Sequence, residues 1–424
     1  MGQTLVEKIL ARHTAGQIRV GDIVSVKVDR LLINDYVGEM IFSKLDEMGC
    51  QKILCPERII TNTDHNLPAF NVKAADKYVL FKEKSKQYGF KNIEVGEHGI
   101  GHQIMCERFV HPHEVVVATD SHATMYAGLG AFSCGITTSD AIQILLTGEC
   151  WFRVPQSVRI RVKGRLQSGV TAKDLSLALL KVFPPEAYIY SAVEVVGEAI
   201  RDLSVDGRLV IANLMAESGA KCAVFEADDK TYDSLRWQGE REYLSSDEDA
   251  QYAYDTEFDA SVLEPMLAYP DAVINVKPIG EALGKPLDQV FIGSCTNGRL
   301  EDLLQAAEIL KDRHVAEGVR LIVTPASQKI ALEAVQNGCM EILMKAGAMI
   351  LTSSCASCAG NGPGLIGRGE RCLSTTNRNF KGRMGSKSAE IYLGSAYTAA
   401  ASAVTGKITD PRIFLKGDHH ESDH

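Results

Sequence analysis

The chain has 424 residues, of which 45% are hydrophobic and 23% are charged, and its formal net charge is −9 at pH 7. This composition is typical of soluble globular proteins, and the length predicts two or three domains instead of a single core. A negative balance disfavours nucleic acid as a main partner, because phosphate binding needs a basic surface. It does not exclude a small anionic substrate, which a local pair of arginines can bind.

The N-terminal residues carry no signal-peptide pattern, and no apolar segment is long enough to cross a bilayer. Residues Met1 to His13 are instead predicted to form an amphipathic helix, with Thr4 and Glu7 at the spacing of a capping box. Eleven cysteines without a secretory signal are typical of a reducing compartment. We therefore expect a cytoplasmic protein without a membrane partner.

Three predicted strands in the first third of the chain each end on a polar loop that contains a histidine. The runs 58–61, 92–96 and 114–119 are followed by His65, His98 and His122. A β-branched run followed by a loop and a helix is typical of a parallel α/β sheet, in which ligands bind beyond the carboxyl ends of the strands. Three histidines at equivalent positions, two of them next to an aspartate, favour a functional site over isolated core histidines.

The middle of the chain gives weaker indications of secondary structure and of functional residues. Residues Val158 to Lys163 alternate strictly and predict a half-exposed strand that opens a second unit. Asn213 and Glu217 lie four residues apart and would share a helix face, and on spacing alone an ordinary exposed polar pair is the favoured explanation. The acidic stretch 245–259 is interpreted as a solvated surface segment. Prolines between 265 and 286 indicate a connection into the last domain.

Cysteines and arginines follow the predicted strands of the last third. The runs 289–292, 348–351 and 371–375 precede Cys295, Cys355 and the group Asn377, Arg378 and Arg383. Gly338 is expected to interrupt the helical pattern of residues 328–346. The last third therefore repeats the α/β rhythm of the first, with its chemically active residues beyond the strand ends.

A lone cysteine, Cys295, and a C-x-x-C pair, Cys355 and Cys358, offer three thiolates to one centre. Structural zinc and most iron–sulfur clusters take four protein ligands, so a cubane held by three would leave one Lewis-acidic iron open. From spacing alone, a cluster, a zinc site and a thioredoxin-like dithiol all remain open. The other cysteines are interpreted as small buried hydrophobes, namely Cys50, Cys55, Cys106, Cys134, Cys150, Cys222, Cys339 and Cys372.

Three stretches together resemble the aconitase superfamily: Gly293 to Arg299, the C-x-x-C-x-Gly that begins at Cys355, and Thr376 to Arg383. Within it, the chain is similar along nearly its whole length to the large subunits of the isopropylmalate dehydratase and homoaconitase group. The resemblance implies an α/β, three-domain large subunit with parallel and mixed sheets flanked by helices, lacking the swivelling fourth domain. The expected segments are 1–156 with the His/Asp loops, 157–284 with Asn213 and Glu217, 285–418 with the cluster, and a polar tail at 419–424.

The resemblance also implies roles for individual residues. One [4Fe–4S] cluster per subunit would be held by Cys295, Cys355 and Cys358, with one iron not ligated by cysteine. His65 with Asp64 would donate a proton, and His98 with Asp120 and His122 with Glu217 would form two further pairs. The expected substrate-binding residues are Asn34 (placed after a predicted strand at 24–28), Ser121, Asn213, Asn377, Arg378 and Arg383.

The implied activity is a hydro-lyase that isomerises a hydroxy di- or tricarboxylic acid by dehydration and rehydration. 3-Isopropylmalate, and with it leucine biosynthesis, is the first expectation, while homoaconitate, 2,3-dimethylmalate and citrate-like acids remain open. The implied partner is a small subunit that carries the swivelling domain and the catalytic serine, so the isolated chain should bind a cluster without turning over substrate. A structural zinc or dithiol protein and an apo-cluster RNA-binding regulator are the alternatives from other classes.

One departure from the family pattern lies at the cysteine pair. The family usually has Pro-Gly-Cys-Gly-Pro-Cys, whereas this chain has Ser353-Ser354-Cys355-Ala356-Ser357-Cys358. The expected ligands are retained and the glycine and proline positions are not. The sequence therefore predicts a cluster stability or substrate range that differs from the family's usual one.

Overall fold

The structure is a computed structural model that describes residues 2–94 and 97–415. The predicted polar tail at 419–424 lies outside the described residues. The strands, β1 to β18 in chain order, are Ile23–Lys27, Arg30–Asn34, Ile59–Asn62, Lys91–Asn92, Val115–Ala118, Phe132–Gly135, Glu149–Arg153, Ser157–Lys163, Ala192–Val196, Cys222–Val224, Tyr254–Asp259, Met266–Ala268, Val276–Pro278, Gln289–Ile292, Arg320–Val323, Met349–Ile350, Arg371–Ser374 and Glu390–Leu393.

The helices, α1 to α16 in chain order, are Leu5–Arg12, Gly38–Glu47, Val72–Tyr88, Gly101–Arg108, Thr138–Thr147, Ala172–Leu179, Pro185–Tyr188, Glu198–Asp202, Val205–Leu214, Asp229–Ser234, Ser294–Asn297, Leu300–Leu310, Gln328–Gln336, Cys339–Lys345, Ala396–Thr405 and Arg412–Leu415. None of the helices in the described part of the chain has both the length and the apolarity of a membrane span.

The described residues form two compact units. The first holds those in 1–165, 179–260 and 353–355, and the second holds those in 166–178, 261–352 and 356–424. The β-strands of each sheet all lie within a single unit.

A five-stranded parallel sheet of order β4-β3-β2-β5-β6 organises the N-terminal part of the first unit. The strands predicted before His65 and His122 are β3 and β5, and the strand predicted at 92–96 overlaps β4 only at Asn92, with residues 95 and 96 outside the described residues. These strands pair in parallel, so the prediction of a parallel sheet is confirmed. The strand predicted at 24–28 is β1, which pairs antiparallel with β7 in a separate two-stranded sheet. Asn34 instead ends β2, the central strand of the parallel sheet.

Apolar residues of α1, α2 and the parallel sheet form the buried core of this region, including Leu5, Ile33, Phe42 and Val117. The predicted capping box begins α1: the Thr4 backbone N–H donates to Glu7 (2.9 Å), and the Glu7 backbone N–H donates to Thr4 Oγ1 (3.4 Å). These side chains accept hydrogen bonds from two backbone N–H groups that would otherwise have no acceptor at the start of a helix.

The other large sheet of the first unit has the order β10-β9-β8-β11, and its pairs are parallel. Strand β11 corrects the interpretation of 245–259 as surface segment alone, because residues 254–259 pair with residues 158–163 of β8. Its acidic residues lie beside basic ones, with Arg159 to Asp255 at 2.6 Å and Lys163 to Glu257 at 3.1 Å. Opposite charges across the strands therefore allow a charged sequence to form a sheet edge.

The second unit is built on a mixed seven-stranded sheet of order β13-β12-β18-β17-β14-β15-β16. Strands β14 to β18 pair in parallel, and β12 is antiparallel to both β13 and β18. The predicted break at Gly338 is confirmed, since this residue has φ +78° between α13 and α14. Strands β12 and β13 come from the predicted segment 157–284 and pair in this sheet; the three-domain division stays a prediction.

Candidate active site

His65 lies just beyond β3 and faces two carboxylates. Its ring is 8% exposed, and Nδ1 lies 2.7 Å from Asp35 Oδ1 and 3.1 Å from Asp64 Oδ1. Burial opposes a charge on the ring, but the charges of Cys355 and Asp64 and hydrogen bonds to both aspartates outweigh it. The pKa of His65 is therefore raised well above its ordinary value of 6.5.

Asp35 is the nearer partner of His65, and no motif in the sequence indicated it. It follows β2 and is fully buried. Asn66 Nδ2 donates to its Oδ2 (2.7 Å), and Lys77 Nζ donates to its backbone carbonyl (2.8 Å). These contacts fix the carboxylate, which places the proton of His65 on Nδ1 and leaves Nε2 for proton exchange.

Asp120 contacts His102 and His122, which corrects the predicted pairing of Asp120 with His98. His102 Nε2 lies 3.0 Å from Asp120 Oδ1, and His102 Nδ1 lies 2.7 Å from the Tyr126 hydroxyl. His102 is in the first turn of α4, whereas His98 lies in the preceding loop and lines a cavity of about 240 Å³. The physical reason is that α4, and not β4 itself, carries the imidazole to Asp120.

His122 connects two carboxylates, as the predicted pairing with Glu217 requires. Its Nδ1 lies 3.2 Å from Asp120 Oδ1, and its Nε2 lies 3.1 Å from Glu217 Oε1. Burial favours the neutral acid at Asp120, but hydrogen bonds and charges from His102 and His122 prevail and hold its pKa well below 3.8. His102, Asp120, His122 and Glu217 thus form a continuous chain of acid–base groups.

Close packing of the 3-10 helix Ser121–Leu129 against α9 holds this chain of groups together. Gly128 makes the contact possible, because a Cβ there would lie 2.9 Å from the backbone nitrogen of Leu209. Asn213 is fully buried near the end of α9, and Glu217 follows on a short 3-10 turn, Met215–Ser218. The two residues are therefore not on one continuous α-helix, although the same segment carries both.

Two other predicted substrate-binding residues lie at the end of β2 and just beyond the end of β5. Asn34 is 4% exposed; its side-chain oxygen accepts from the Tyr36 backbone N–H at 3.2 Å. Ser121 is exposed and, with Lys221, lines a cavity of about 440 Å³. Asn34 thus shapes the turn into Asp35, while Ser121 faces accessible space.

Cys355 also belongs to the first unit, in the segment 353–355. Its backbone N–H donates to the Asp64 carbonyl (3.1 Å), and its Sγ lies 3.6 Å from Asp64 Oδ2. One ligand atom from each of Asp64, His65 and Cys355 lies within 4.8 Å of the others, a spacing suited to metal binding. The predicted proton donor and one predicted cluster ligand therefore lie side by side.

In the second unit, Asn377 joins the two other predicted ligands. Its Nδ2 donates to Cys295 Sγ (3.3 Å), and its Oδ1 lies 3.6 Å from Cys358 Sγ. Both cysteines are 5% exposed. Asn377 was predicted to bind substrate, and in this structure its side chain is directed at the cysteine sulfurs.

The loop of Cys295 has a tightly constrained backbone. A Cβ at Gly293 would lie 2.8 Å from the Thr324 carbonyl, which explains why glycine follows β14. Arg299 is buried and donates from Nη1 to the Thr296 carbonyl (2.6 Å) and from Nη2 to the Cys295 carbonyl (2.7 Å). The motif glycine and arginine thus serve to shape the loop that presents Cys295.

Arg378 and Arg383 lie in the loop beyond β17, and both are half-buried. They share that loop with Asn377 and supply guanidinium groups close in sequence to the cysteine contacts. None of the eleven cysteines, all of which lie in the described residues, forms a disulfide. The eight outside the predicted ligand set are buried, except for Cys50 and Cys55, which are half-buried.

Comparisons with known proteins identify the family of the chain. Residues 7–406 match the profile of the aconitase family (aconitate hydratase). The chain is 40% identical to the 3-isopropylmalate dehydratase large subunit 1 of Methanopyrus kandleri, over 98% of this chain and 100% of that one. It is 42% identical to the 3-isopropylmalate dehydratase large subunit of a Sulfurihydrogenibium species, over 100% and 99%.

Among solved structures, the holo-form of aconitase X from Thermococcus kodakaraensis resembles this fold. The TM-score is 0.53 at 12% identity, over 86% of this chain and 88% of that chain. At this identity the likeness concerns the fold alone. The family match over residues 7–406 and the full-length relatives show that the chain belongs to the aconitase family.

Proposed function

We propose that this chain is the large, cluster-bearing subunit of a hydro-lyase that isomerises 3-isopropylmalate by dehydration and rehydration. The observation that carries the proposal is the position of His65, held by two carboxylates beside Cys355, in a chain about 40% identical to 3-isopropylmalate dehydratase large subunits. A three-domain division at 1–156, 157–284 and 285–418 is part of the same proposal.

The donor set suits a [4Fe–4S] cluster with three cysteine ligands. Cys295, Cys355 and Cys358 do not form disulfides, and thiolate is the ligand that iron–sulfur clusters take. Asn377 contacts the sulfurs of Cys295 and Cys358, as a residue that orients metal ligands would. When bound, such a cluster supplies a Lewis-acidic iron that assists the departure of a hydroxyl group.

His65 would supply the proton that the departing hydroxyl needs. Hydroxide is a poor leaving group at neutral pH, so its loss requires a positioned acid. The raised pKa of His65 keeps the imidazole protonated near neutral pH, and Asp35 and Asp64 occupy Nδ1. The proton at Nε2 is then the one transferred.

The chain of His102, Asp120, His122 and Glu217 would orient water and accept or return protons during rehydration. Asp120 accepts from both imidazoles, which fixes one nitrogen of each ring. Because Asp120 is shared, His102 and His122 are expected to act as one unit. His98 remains a proposed participant from the preceding loop.

Arg378 and Arg383 would bind the substrate carboxylates, since the planar guanidinium fork matches a carboxylate with two parallel hydrogen bonds. Asn34, Ser121 and Asn213 would complete the substrate pocket. Asn377 is proposed to orient the cysteine ligands as well as to bind the substrate, because both polar atoms of its side-chain amide face sulfur.

The relatives are named as large subunits, and we propose a small subunit that carries the swivelling domain and the catalytic serine. A cytoplasmic location belongs to the same proposal, because eleven free thiols suit a reducing compartment. The isolated chain is then expected to be inactive.

The test is the absorbance of the alkene product formed from 3-isopropylmalate by the anaerobically reconstituted chain, with and without an isopropylmalate dehydratase small subunit. Turnover that requires both proteins supports the proposal. Robust turnover by the chain alone contradicts the two-subunit part, and turnover of homoaconitate or 2,3-dimethylmalate in place of 3-isopropylmalate reassigns the substrate.

A further inference from the structure

Lys173 is completely enclosed in the second unit, and none of the proposed chemical steps uses it. Its exposed fraction is 0%. Its ammonium donates to the carbonyls of Thr375 (2.9 Å) and Thr376 (2.7 Å), both of which are neutral acceptors. A buried charge is costly unless an opposite charge lies close by, so the anionic groups near Lys173 decide how readily it is protonated.

The carbonyls that Lys173 binds belong to the segment that holds the cysteine loop. Thr375 Oγ1 accepts from the Gly293 N–H (2.9 Å), and Thr296 Oγ1 donates to the Thr375 carbonyl (2.8 Å). Asn377 directly follows Thr376, and its side-chain amide contacts the sulfurs of Cys295 and Cys358. Lys173 therefore fixes the backbone from which Asn377 reaches both sulfurs.

The anionic groups around Lys173 include the two cysteines themselves. Burial lowers the pKa of Lys173 to about 7, while negative charge on Asp302, Cys295 and Cys358 acts to raise it. Burial also raises the pKa of Asp302, to about 7, so this carboxyl is a weak counter-charge near neutral pH. Asp174, whose pKa burial raises to about 6, also favours the ammonium, and Cys295 and Cys358 add negative charge on the side of the cysteine loop.

We propose that Lys173 is a positioning residue for the iron–sulfur cluster: it tethers the Thr375–Thr376 backbone and supplies a buried positive charge that stabilises the anionic, cluster-bound state of Cys295 and Cys358. This inference rests on the proposed function and extends it to a residue that touches neither the substrate nor the sulfurs. Loss of the charge should weaken cluster retention and make the cluster harder to reduce.

The experiment uses the full-length chain reconstituted anaerobically with iron and sulfide, and compares K173M, K173Q and the wild type. K173M removes both the charge and the hydrogen bonds, while K173Q removes the charge and keeps a donor. K84M is the matched control, because Lys84 is also a buried lysine, 9% exposed, but is bound to Asp46 in the first unit. The readouts are the iron and sulfide content, the rate of iron loss to a chelator, and the midpoint potential of the bound cluster.

We expect K173M and K173Q to lose iron about 10- to 100-fold faster than the wild type, as changes beside metal ligands commonly do. Their midpoint potentials should shift to more negative values, which a purely structural role would not cause, and K84M should match the wild type. Unchanged cluster retention and midpoint potential in K173Q would overturn the inference. If K173M does not fold, K173Q alone provides the test. Failure of the wild-type chain to take up a cluster would instead overturn the proposed function.

Discussion

His65 Nδ1 and Asp35 Oδ1 lie 2.7 Å apart, although thirty positions separate the two residues in the chain. The contact joins the carboxyl ends of two neighbouring parallel strands, β2 and β3. It is shorter than the 3.1 Å between the same nitrogen and Asp64. Asp35 is therefore the residue that most directly fixes the tautomer of the proposed proton donor.

The substitution Asp35→Asn should lower kcat by about 10- to 100-fold and change KM little. An amide nitrogen facing Nδ1 favours the opposite tautomer, which moves the ring proton away from the nitrogen that should carry it. Steady-state kinetics of the reconstituted two-subunit enzyme checks this. Asp46→Asn is the control, since Asp46 binds Lys84 and is half exposed; equal activities of the two variants would remove Asp35 from the mechanism.

His102→Gln should reduce kcat by about 100-fold or more, and His98→Gln should have the smaller effect. The reason is that His102 contacts Asp120 and Tyr126, whereas His98 lines a separate cavity. The same kinetic assay, with circular dichroism to confirm folding, ranks the two variants. A greater loss in His98→Gln would restore the pairing expected from the sequence.

Gly128→Ala should destabilise the first unit by about 1–3 kcal/mol, because an added Cβ meets the Leu209 backbone at 2.9 Å. It should also lower activity, since the displaced segments carry His122 and Glu217. Gly280→Ala is the matched control: no heavy atom lies within 4 Å of a Cβ there, and a change within about 0.5 kcal/mol is expected. Urea unfolding measures both, and equal free energies of unfolding would refute the packing argument.

Folding stability should fall as the pH rises through the folded-state pKa of His13. Burial opposes the charge of this ring, but Asp29 at 2.7 Å, the Ile9 carbonyl and the charge of Glu114 raise its pKa above 6.5. A raised folded pKa stabilises the protein below the unfolded value and loses that effect above the folded one. The difference should be about 1 kcal/mol or less.

Unfolding curves between pH 6 and 9 for the wild type and His13→Gln test this contribution. The variant should lack the part of the pH dependence that belongs to His13. His314→Gln, which removes an exposed histidine, should retain it. A variant His13→Gln with the wild-type pH profile would show that the ion pair does not contribute.

Strand ends and their histidines could be predicted because β-branched runs and the loops that follow them are local signals. Asp35 could not, since a single aspartate after a short apolar run looks like any turn residue until β2 is placed between β3 and β5. His102 was missed because its position in the first turn of α4 depends on where the helix begins. Strand β11 was missed because its acidic side chains are balanced by Arg159 and Lys163 on another strand.

The cysteine site likewise combines features that the sequence indicates locally with contacts that depend on the fold. The sequence indicated three thiols beyond strand ends, and the motifs indicated the family, which is confirmed by the match over residues 7–406. The contacts of Asn377 with two sulfurs, and of Lys173 with the preceding carbonyls, depend on how distant segments pack. Spacing in the sequence carries no information about such contacts.

The most direct test of the account is anaerobic reconstitution of the full chain, followed by iron and sulfide analysis and absorption spectroscopy, with Cys295→Ser, Cys355→Ser and Cys358→Ser in parallel. We predict a brown protein with about four irons and four sulfides per chain, and little or no cluster in each variant. A colourless wild-type chain, one that binds zinc in place of iron, or variants that keep a full cluster would contradict the central claim.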